Sequence, residues 1–304
     1  MLSYRHGFHA GNAADVLKHM VLIFCLDYLS QKEKPYLCID THAGAGSYPL
    51  LGVFAAKNRE WDKGVARLGI GAMPEADPLP AMIRRYLEII GPGFAAAAAA
   101  ANPAALSYSG SPEIIRRMLR DGDKACCFEL HPEDFAALNS LLGSDRRFSL
   151  RRADGFEGLK GLLPPLPRRG LIFIDPPYEV KDDYLTLPHI LSDALKRFPA
   201  GTYIIWYPLL HIDPRPGENI PFRETLLDLY DGNRLGLEFY TAPKDNPLAE
   251  GVTGNSPRGM YGSGMVIFNH PWTLKQALEE SLPFLGEIMG VGKNGWLLCN
   301  HEAP

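Results

Sequence analysis

The sequence predicts an α/β fold: an open, mostly parallel sheet with helices on both faces, forming one domain of 304 residues with a helical insertion after its first strand. Three observations predict it. Short unbroken apolar runs such as Leu171-Ile172-Phe173-Ile174 lack the alternation of a half-exposed strand and suit strands covered on both faces. Four strand candidates end in an acid, at Asp40, Glu129, Asp154 and Asp175. The first of them runs into Thr41-His42-Ala43-Gly44-Ala45-Gly46-Ser47, a glycine-rich loop whose backbone can approach a ligand closely.

Taken in order, Asn12 can cap a helix, with Asp15 three residues on. Val16, Met20, Ile23, Phe24 and Leu26 give that helix an apolar face as far as Tyr28. Ahead of it Tyr4, Arg5, His6 and His9 crowd a segment that is otherwise small or apolar, and Lys18 and His19 fall in the early turns. A histidine cluster invites a metal, yet cysteine or carboxylate partners at ligand spacing are missing, so no metal is expected. With Tyr4 and Lys18 the cluster reads instead as a lid that grips a substrate. Pro35 to Asp40 is the first strand. A dinucleotide fingerprint would want a glycine at position 49, but Pro49 stands there and weakens a dehydrogenase reading.

Residues 49–107 are far more than a crossover needs and form the expected insertion subdomain, with helices at 61–68 and 79–90 and an alanine-rich spacer at 91–105. Ser111 before Pro112-Glu113 reads as an N-cap with proline at the first helical position. Strands are expected at 124–129, 148–153 and 202–208, with helices starting near His131 and at 156–163. Candidates 235–241 and 265–269 make an antiparallel final pair, and a helix from Leu274 closes the chain.

Charged residues are 22% and hydrophobic residues 46% of the chain, the balance of a soluble globular enzyme. No segment approaches about 18 uninterrupted apolar residues, and the N-terminus lacks the apolar core of a signal peptide, so a cytoplasmic protein with no membrane partner is expected. The five cysteines read as reduced core residues. A formal charge of −4 argues against a global basic field, so any nucleic-acid contact must be local. Candidate patches are Arg116, Arg117 and Arg120, Arg146 and Arg147, Arg151 and Arg152, and Arg168 and Arg169, each of which, taken alone, a solvated face explains better.

The chemistry concentrates at Asp175-Pro176-Pro177-Tyr178. Neither proline has an N–H to donate, so the ladder stops and a rigid corner forms at the carboxyl end of a central strand. Such a corner suits a planar amine. Asp175 can accept one N–H, the Pro176 carbonyl the other, and Tyr178 can stack on the ring that carries the amine. The stretch resembles the Asp/Asn-Pro-Pro-Tyr/Phe signature of S-adenosylmethionine-dependent methyltransferases acting on exocyclic amines or amides.

Several further strings extend the likeness over nearly the whole chain: Met1 to His6, Phe8 to Asn12, Asp15 to His19, Asp40 to Gly46, Gly110 to Pro112, Arg168 to Tyr178, Trp206 to Pro208 and Ser263 to Asn269. Together they resemble the RlmJ family of bacterial 23S ribosomal RNA adenine-N6 methyltransferases. The alanine-rich stretch at 94–105 departs from the family's length. The resemblance implies a Rossmann-like class I S-adenosylmethionine-dependent methyltransferase sheet, with S-adenosylmethionine as methyl donor, no metal, and 23S ribosomal RNA as partner of a monomer. It implies a cofactor site of His19, His42, Ser111, Glu129, Asp154, Gly155 and Asp175. Asp175, Pro176 and Tyr178 then act on the amine, and Tyr4, His6 and Lys18 belong to a closing motif. A DNA adenine-N6 methyltransferase is the alternative. It should carry an element that reads major-groove edges, and no recognition helix is visible. A cofactor-binding module without catalysis would not need Asp-Pro-Pro-Tyr.

Overall fold

The computed structural model describes residues 5–68, 79–99, 106–178, 181–211, 215, 220–244 and 259–302. Helix α1 (Ala13–Ser30) precedes strand β1 (Leu37–Asp40), and β2 (Ser47–Pro49), α2 (Ala55–Asn58), α3 (Ala81–Ala99) and β3 (Ser107–Ser109) fill the long connection that follows. Then come α4 (Ser111–Met118), β4 (Lys124–Phe128), α5 (Pro132–Leu142), β5 (Phe148–Arg151), α6 (Gly155–Leu159) and β6 (Gly170–Ile174). The chain finishes with α7 (Lys181–Arg197), β7 (Thr202–Leu210), α8 (Phe222–Leu227), β8 (Arg234–Tyr240), β9 (Met260–Phe268), α9 (Leu274–Met289) and β10 (Trp296–His301).

The main sheet runs β10-β8-β9-β7-β6-β1-β4-β5. Strands β5, β4, β1, β6 and β7 are parallel, and β9, β8 and β10 join in antiparallel steps. Successive strand side chains point to opposite faces, so the apolar runs feed two cores. Cys38, Leu171, Phe173, Ile204 and Met265 pack with α1, α3, α4 and α9 on one face. Ile39, Ile172, Ile174, Ile205 and Val266 pack with α6, α7 and α8 on the other. This is the Rossmann-like architecture that the apolar runs imply. From β1 the chain steps outward to β4 and β5, then returns to β6 and β7 on the other side. The crevice between the carboxyl ends of β1 and β6 is therefore the switch point where such sheets bind ligands.

Several elements differ from the sequence expectation, each for a local reason. Residues 61–68 make two 3-10 turns, Glu60–Lys63 and Val65–Leu68, because Gly64 between them lies against the chain at Gly11 and Asn12, where a Cβ would come within 2.1 Å of the Gly11 carbonyl oxygen. Helix α3 continues past Ile90 to Ala99. Strands β2 and β3 pair as a small second sheet at the base of the insertion. The insertion's Trp61, Val65, Met82, Ile83, Tyr86 and Ile90 are buried in the same apolar cluster as α1. Ser111 is the first residue of α4, with Gly110 as N-cap, because its hydroxyl is drawn into a bond with Asp40 and is not free to cap. The closing pair gains a third strand, β10, on the outer side of β8.

Most of the arginine patches hold the fold together. Arg116 and Arg117 pair with Glu113, and Arg147 pairs with Asp145. Arg120 and Arg169 lie over the Tyr36 ring at 5.7 and 5.9 Å and donate to the carbonyls that α1 leaves open at its end: Arg120 to Ser30 and Lys32, Arg169 to Leu29, Lys32 and Lys34. Arg146, Arg151, Arg152 and Arg168 are exposed. Arg169→Ala should cost about 1–3 kcal/mol of stability in urea unfolding, since it strands the part-buried Leu29 carbonyl, whereas Arg152→Ala should stay within about 0.5 kcal/mol of the parent. Equal midpoints for the two variants would contradict the clamp.

Candidate active site

Helix α1 is buried almost all round, and Lys18 lies within it at 4% exposure. A buried ammonium is costly unless it is paired and hydrogen-bonded. Lys18 Nζ is 2.8 Å from Asp15 Oδ1, one helical turn back, and donates to Asp175 Oδ2 at the end of β6. It also sits over the Trp206 ring at 5.5 Å. Burial pushes the ammonium pKa down, but Asp15 and Asp175 outweigh it and hold it above the ordinary lysine value. Burial likewise pushes the Asp15 carboxyl up, and the charges of His6 and Lys18 overcome that and leave it well below the usual carboxylate range. Asp15 is fully buried. Its Oδ2 receives the Gly11 N–H at 2.7 Å and lies 3.0 Å from His6 Nε2.

The N-terminal segment from Arg5 is tied over this cluster. Arg5 pairs with Glu133 and Asp134 in the first turn of α5. His9 Nδ1 lies 2.9 Å from Glu60 of the insertion, and Phe8 packs edge-on to Phe54 at 5.0 Å. Those polar ties were not legible in a segment with so little apolar surface. Tyr4 lies outside the described residues.

The four acids at strand ends meet at the switch point. Asp40 is fully buried, receiving the Ser111 hydroxyl at 2.7 Å and the His42 N–H at 3.3 Å. Burial pushes its carboxyl up to about 7 against those two donors. Glu129 receives the Gly44 N–H at 2.8 Å and the His131 N–H at 2.6 Å, so both of its oxygens are oriented by backbone. Burial still raises it above the ordinary glutamate value. Asp154 caps α6, with Oδ1 taking the N–H groups of Phe156 and Glu157. Gly155 must be glycine, because a Cβ there would lie 1.9 Å from the Thr41 carbonyl oxygen. Gly44 adopts φ +61°, in the left-handed region that favours glycine.

A cleft of ≈ 610 Å³ runs along these ends, and His19, His42, Glu129, Asp154, Gly155 and Asp175 are among its lining residues. Ser111 is not; it sits beneath, on Asp40. His19 Nδ1 bonds the Tyr108 hydroxyl at 2.8 Å, and burial holds its imidazole down at about 3, so it is neutral. His42 bonds Thr41 at 2.9 Å and is likewise held down by burial, to about 4. A smaller hollow of ≈ 70 Å³ opens on the other side of the Asp-Pro-Pro-Tyr corner, walled by Lys18, Tyr178 and Trp206 among others. His6, Asp175 and Pro177 line both cavities.

Pro176 is buried and lines neither cavity, and among the described residues no N–H donates to its carbonyl. Tyr178 has φ +51°, packs against Tyr184 at 4.6 Å and donates its hydroxyl to the Trp206 carbonyl at 2.7 Å. Among the described residues no group of three or more His, Cys, Asp or Glu could hold a metal ion. Sequence reasoning missed Asp15 and Trp206 as site residues. For Asp15 there was a signal: an acid and a lysine three apart on an apolar helix have nowhere to go but each other.

The chain resembles known proteins along nearly its whole length. A family model described as ribosomal RNA large subunit methyltransferase D, RlmJ, matches residues 33–232. A protein named ribosomal RNA large subunit methyltransferase J from Escherichia coli is 39% identical over 286 residues, which is 94% of this chain and 93% of that one. The protein of that name from Haemophilus influenzae is 38% identical over 298 residues, 97% of each. The crystal structure of a Legionella pneumophila protein superposes with a TM-score of 0.78 at 28% identity, covering 97% of this chain and 98% of that one.

The buried Asp40 makes a pH prediction. Its folded pKa of about 7 lies above the ordinary 3.8, so the folded state holds a proton that the unfolded state has lost between those values, and wild-type stability carries a penalty that grows as pH rises through that window. Asp40→Asn removes the linkage. Relative to wild type it should gain about 1.4 kcal/mol per pH unit in urea unfolding between pH ~4 and ~7, and level off above. Parallel pH profiles for the two proteins would contradict it.

Proposed function

Because this chain belongs to the RlmJ family of ribosomal RNA large subunit methyltransferases, we propose that it methylates ribosomal RNA, transferring a methyl group from S-adenosylmethionine to the exocyclic N6 of an adenine in 23S ribosomal RNA. The observation that carries this reading is that Asp175 lines both cavities, so a donor in the large one and an amine in the small one would meet at one carboxylate.

The large cleft fits the donor. Its ≈ 610 Å³ lies within the range of about 300–1,000 Å³ for small-molecule sites. Glu129 keeps acceptor lone pairs for ribose hydroxyls, and Asp154 keeps Oδ2 for an adenine amine, since Oδ1 alone caps α6. His131 Nδ1, on the cleft wall, is buried with no hydrogen-bond partner among the described residues. Glu129, Asp154, Gly155, His19 and His42 would hold the donor, with Ser111 acting on the site through Asp40. S-adenosylmethionine supplies a methyl group activated by its sulfonium.

The chain's own residues handle the amine. Adenine N6 is a poor nucleophile because its lone pair is delocalised into the ring, so it must be held pyramidal and in line. Lys18 occupies Asp175 Oδ2, which leaves Oδ1 to accept one N–H, and the Pro176 carbonyl, which lines neither cavity here, would accept the other once the wall of the small one moves. Positioning of this kind supplies on the order of 7 to 11 kcal/mol where the geometry is near attack. The ≈ 70 Å³ hollow holds about two waters and not a purine, so the target adenine must be flipped out of any stack and its entry requires the wall to move. His6 lines that wall, and Tyr4, two residues ahead of it in sequence, would act with it in the closing motif, with Tyr178 and Trp206 as the faces for the base to stack on.

Asp175→Ala should lower turnover at least about a hundredfold, roughly 2.7 kcal/mol of barrier, while calorimetric affinity for S-adenosylmethionine falls less than about tenfold. Turnover near the parent value in a folded variant would sink the assignment.

A further inference from the structure

Two tyrosine hydroxyls line up behind His19. Tyr86 Oη lies 3.0 Å from Tyr108 Oη, and Tyr108 Oη lies 2.8 Å from His19 Nδ1. The three side chains come from α3, β3 and α1, and their exposures are 0%, 1% and 2%. So deep a polar line is costly unless its hydrogens are all used.

Each hydroxyl has one hydrogen to give. With Tyr86 donating to Tyr108, and Tyr108 to His19 Nδ1, each hydroxyl hydrogen in the line has an acceptor. In the reverse order Nδ1–H donates to Tyr108 and Tyr108 to Tyr86, and the last O–H has no acceptor among the described residues. Stranding a donor in an apolar core costs more than leaving an acceptor lone pair unused. The first order therefore wins. The imidazole is neutral, so its one hydrogen is on Nε2, the nitrogen left for the cleft that His19 lines. The acids of that wall, Glu129, Asp134, Asp154, Asp175 and Asp183, offer carboxyl oxygens and not fixed N–H donors. A ligand carboxylate there needs a fixed donor.

Resting on the function proposed above, we propose that Tyr86 and Tyr108 are positioning residues that hold His19 as its Nε2–H tautomer, so that the cleft offers an N–H to the carboxylate of bound S-adenosylmethionine. The insertion helix α3 then contributes to donor binding without touching the donor. Its role is distinct from any contact with RNA.

The tautomer can be read in the ligand-free wild-type protein from a long-range proton–nitrogen spectrum with nitrogen-15 histidine. The expected result is an unprotonated Nδ1 and a protonated Nε2 for His19 from pH ~5 to ~8; a protonated Nδ1 overturns the proposal. Tyr108→Phe keeps the ring and removes the hydroxyl. It should raise KM for S-adenosylmethionine about three- to tenfold with kcat within about twofold, and Tyr86→Phe should act in the same sense but more weakly. An unchanged KM in folded Tyr108→Phe also overturns it. If the wild type shows the expected tautomer but does not bind S-adenosylmethionine, the functional reading fails and the tautomer assignment stands.

Discussion

The buried ammonium of Lys18 organises this molecule. Lys18 sits inside an apolar helix, and an ammonium there is tolerable only with carboxylates on it, so Asp15 holds it from the same helix and Asp175 from the end of β6. The pairing fixes the N-terminal helix, which lies outside the crossover pattern of the sheet, against central strand β6. It also orients Asp175, whose Oδ2 accepts from a cation that stays charged.

The same constraint spreads outward through Asp15. Its second oxygen takes the Gly11 N–H and lies beside His6, which ties the N-terminal segment to the lysine's own partner. That segment is thus linked through Asp15 and Lys18 to the Asp175 carboxylate. On the cleft side the burden is different. Asp40, Glu129 and Asp154 are steadied by a hydroxyl or by backbone N–H groups, and none of them has a salt bridge among the described residues. An acid-rich cleft of this kind favours a ligand that brings hydroxyls, amines and positive charge.

Much of this was legible in the chain. Unbroken apolar runs report strands covered on both faces, and an acid after such a run reports the carboxyl edge of the sheet, so the crevice could be placed with no knowledge of packing. Asp-Pro-Pro-Tyr reported its own corner because proline cannot extend a ladder. What stayed hidden depends on contacts distant in sequence. Arg120 and Arg169 looked like surface patches, and only the fold brings both to the open carbonyls after α1. Tyr86 and Tyr108 read as ordinary core aromatics, since nothing local says that their hydroxyls would line up on His19. Strand β10, with its Cys-Asn-His end, lacks a strong strand composition and is specified by the edge of β8. Ser111 looked like a cap because the sequence cannot show Asp40 waiting beneath it.

The central claim is that the Asp175 corner presents an adenine amine of large-subunit RNA to a methyl donor. The most direct measurement is transfer of labelled methyl from S-adenosylmethionine by the full-length protein to total RNA and, separately, to DNA, followed by identification of the labelled nucleoside. The account predicts label in N6-methyladenosine from 23S ribosomal RNA and none in DNA. Label in a ribose-methylated nucleoside, in a methylated cytosine, or in DNA adenine would contradict it.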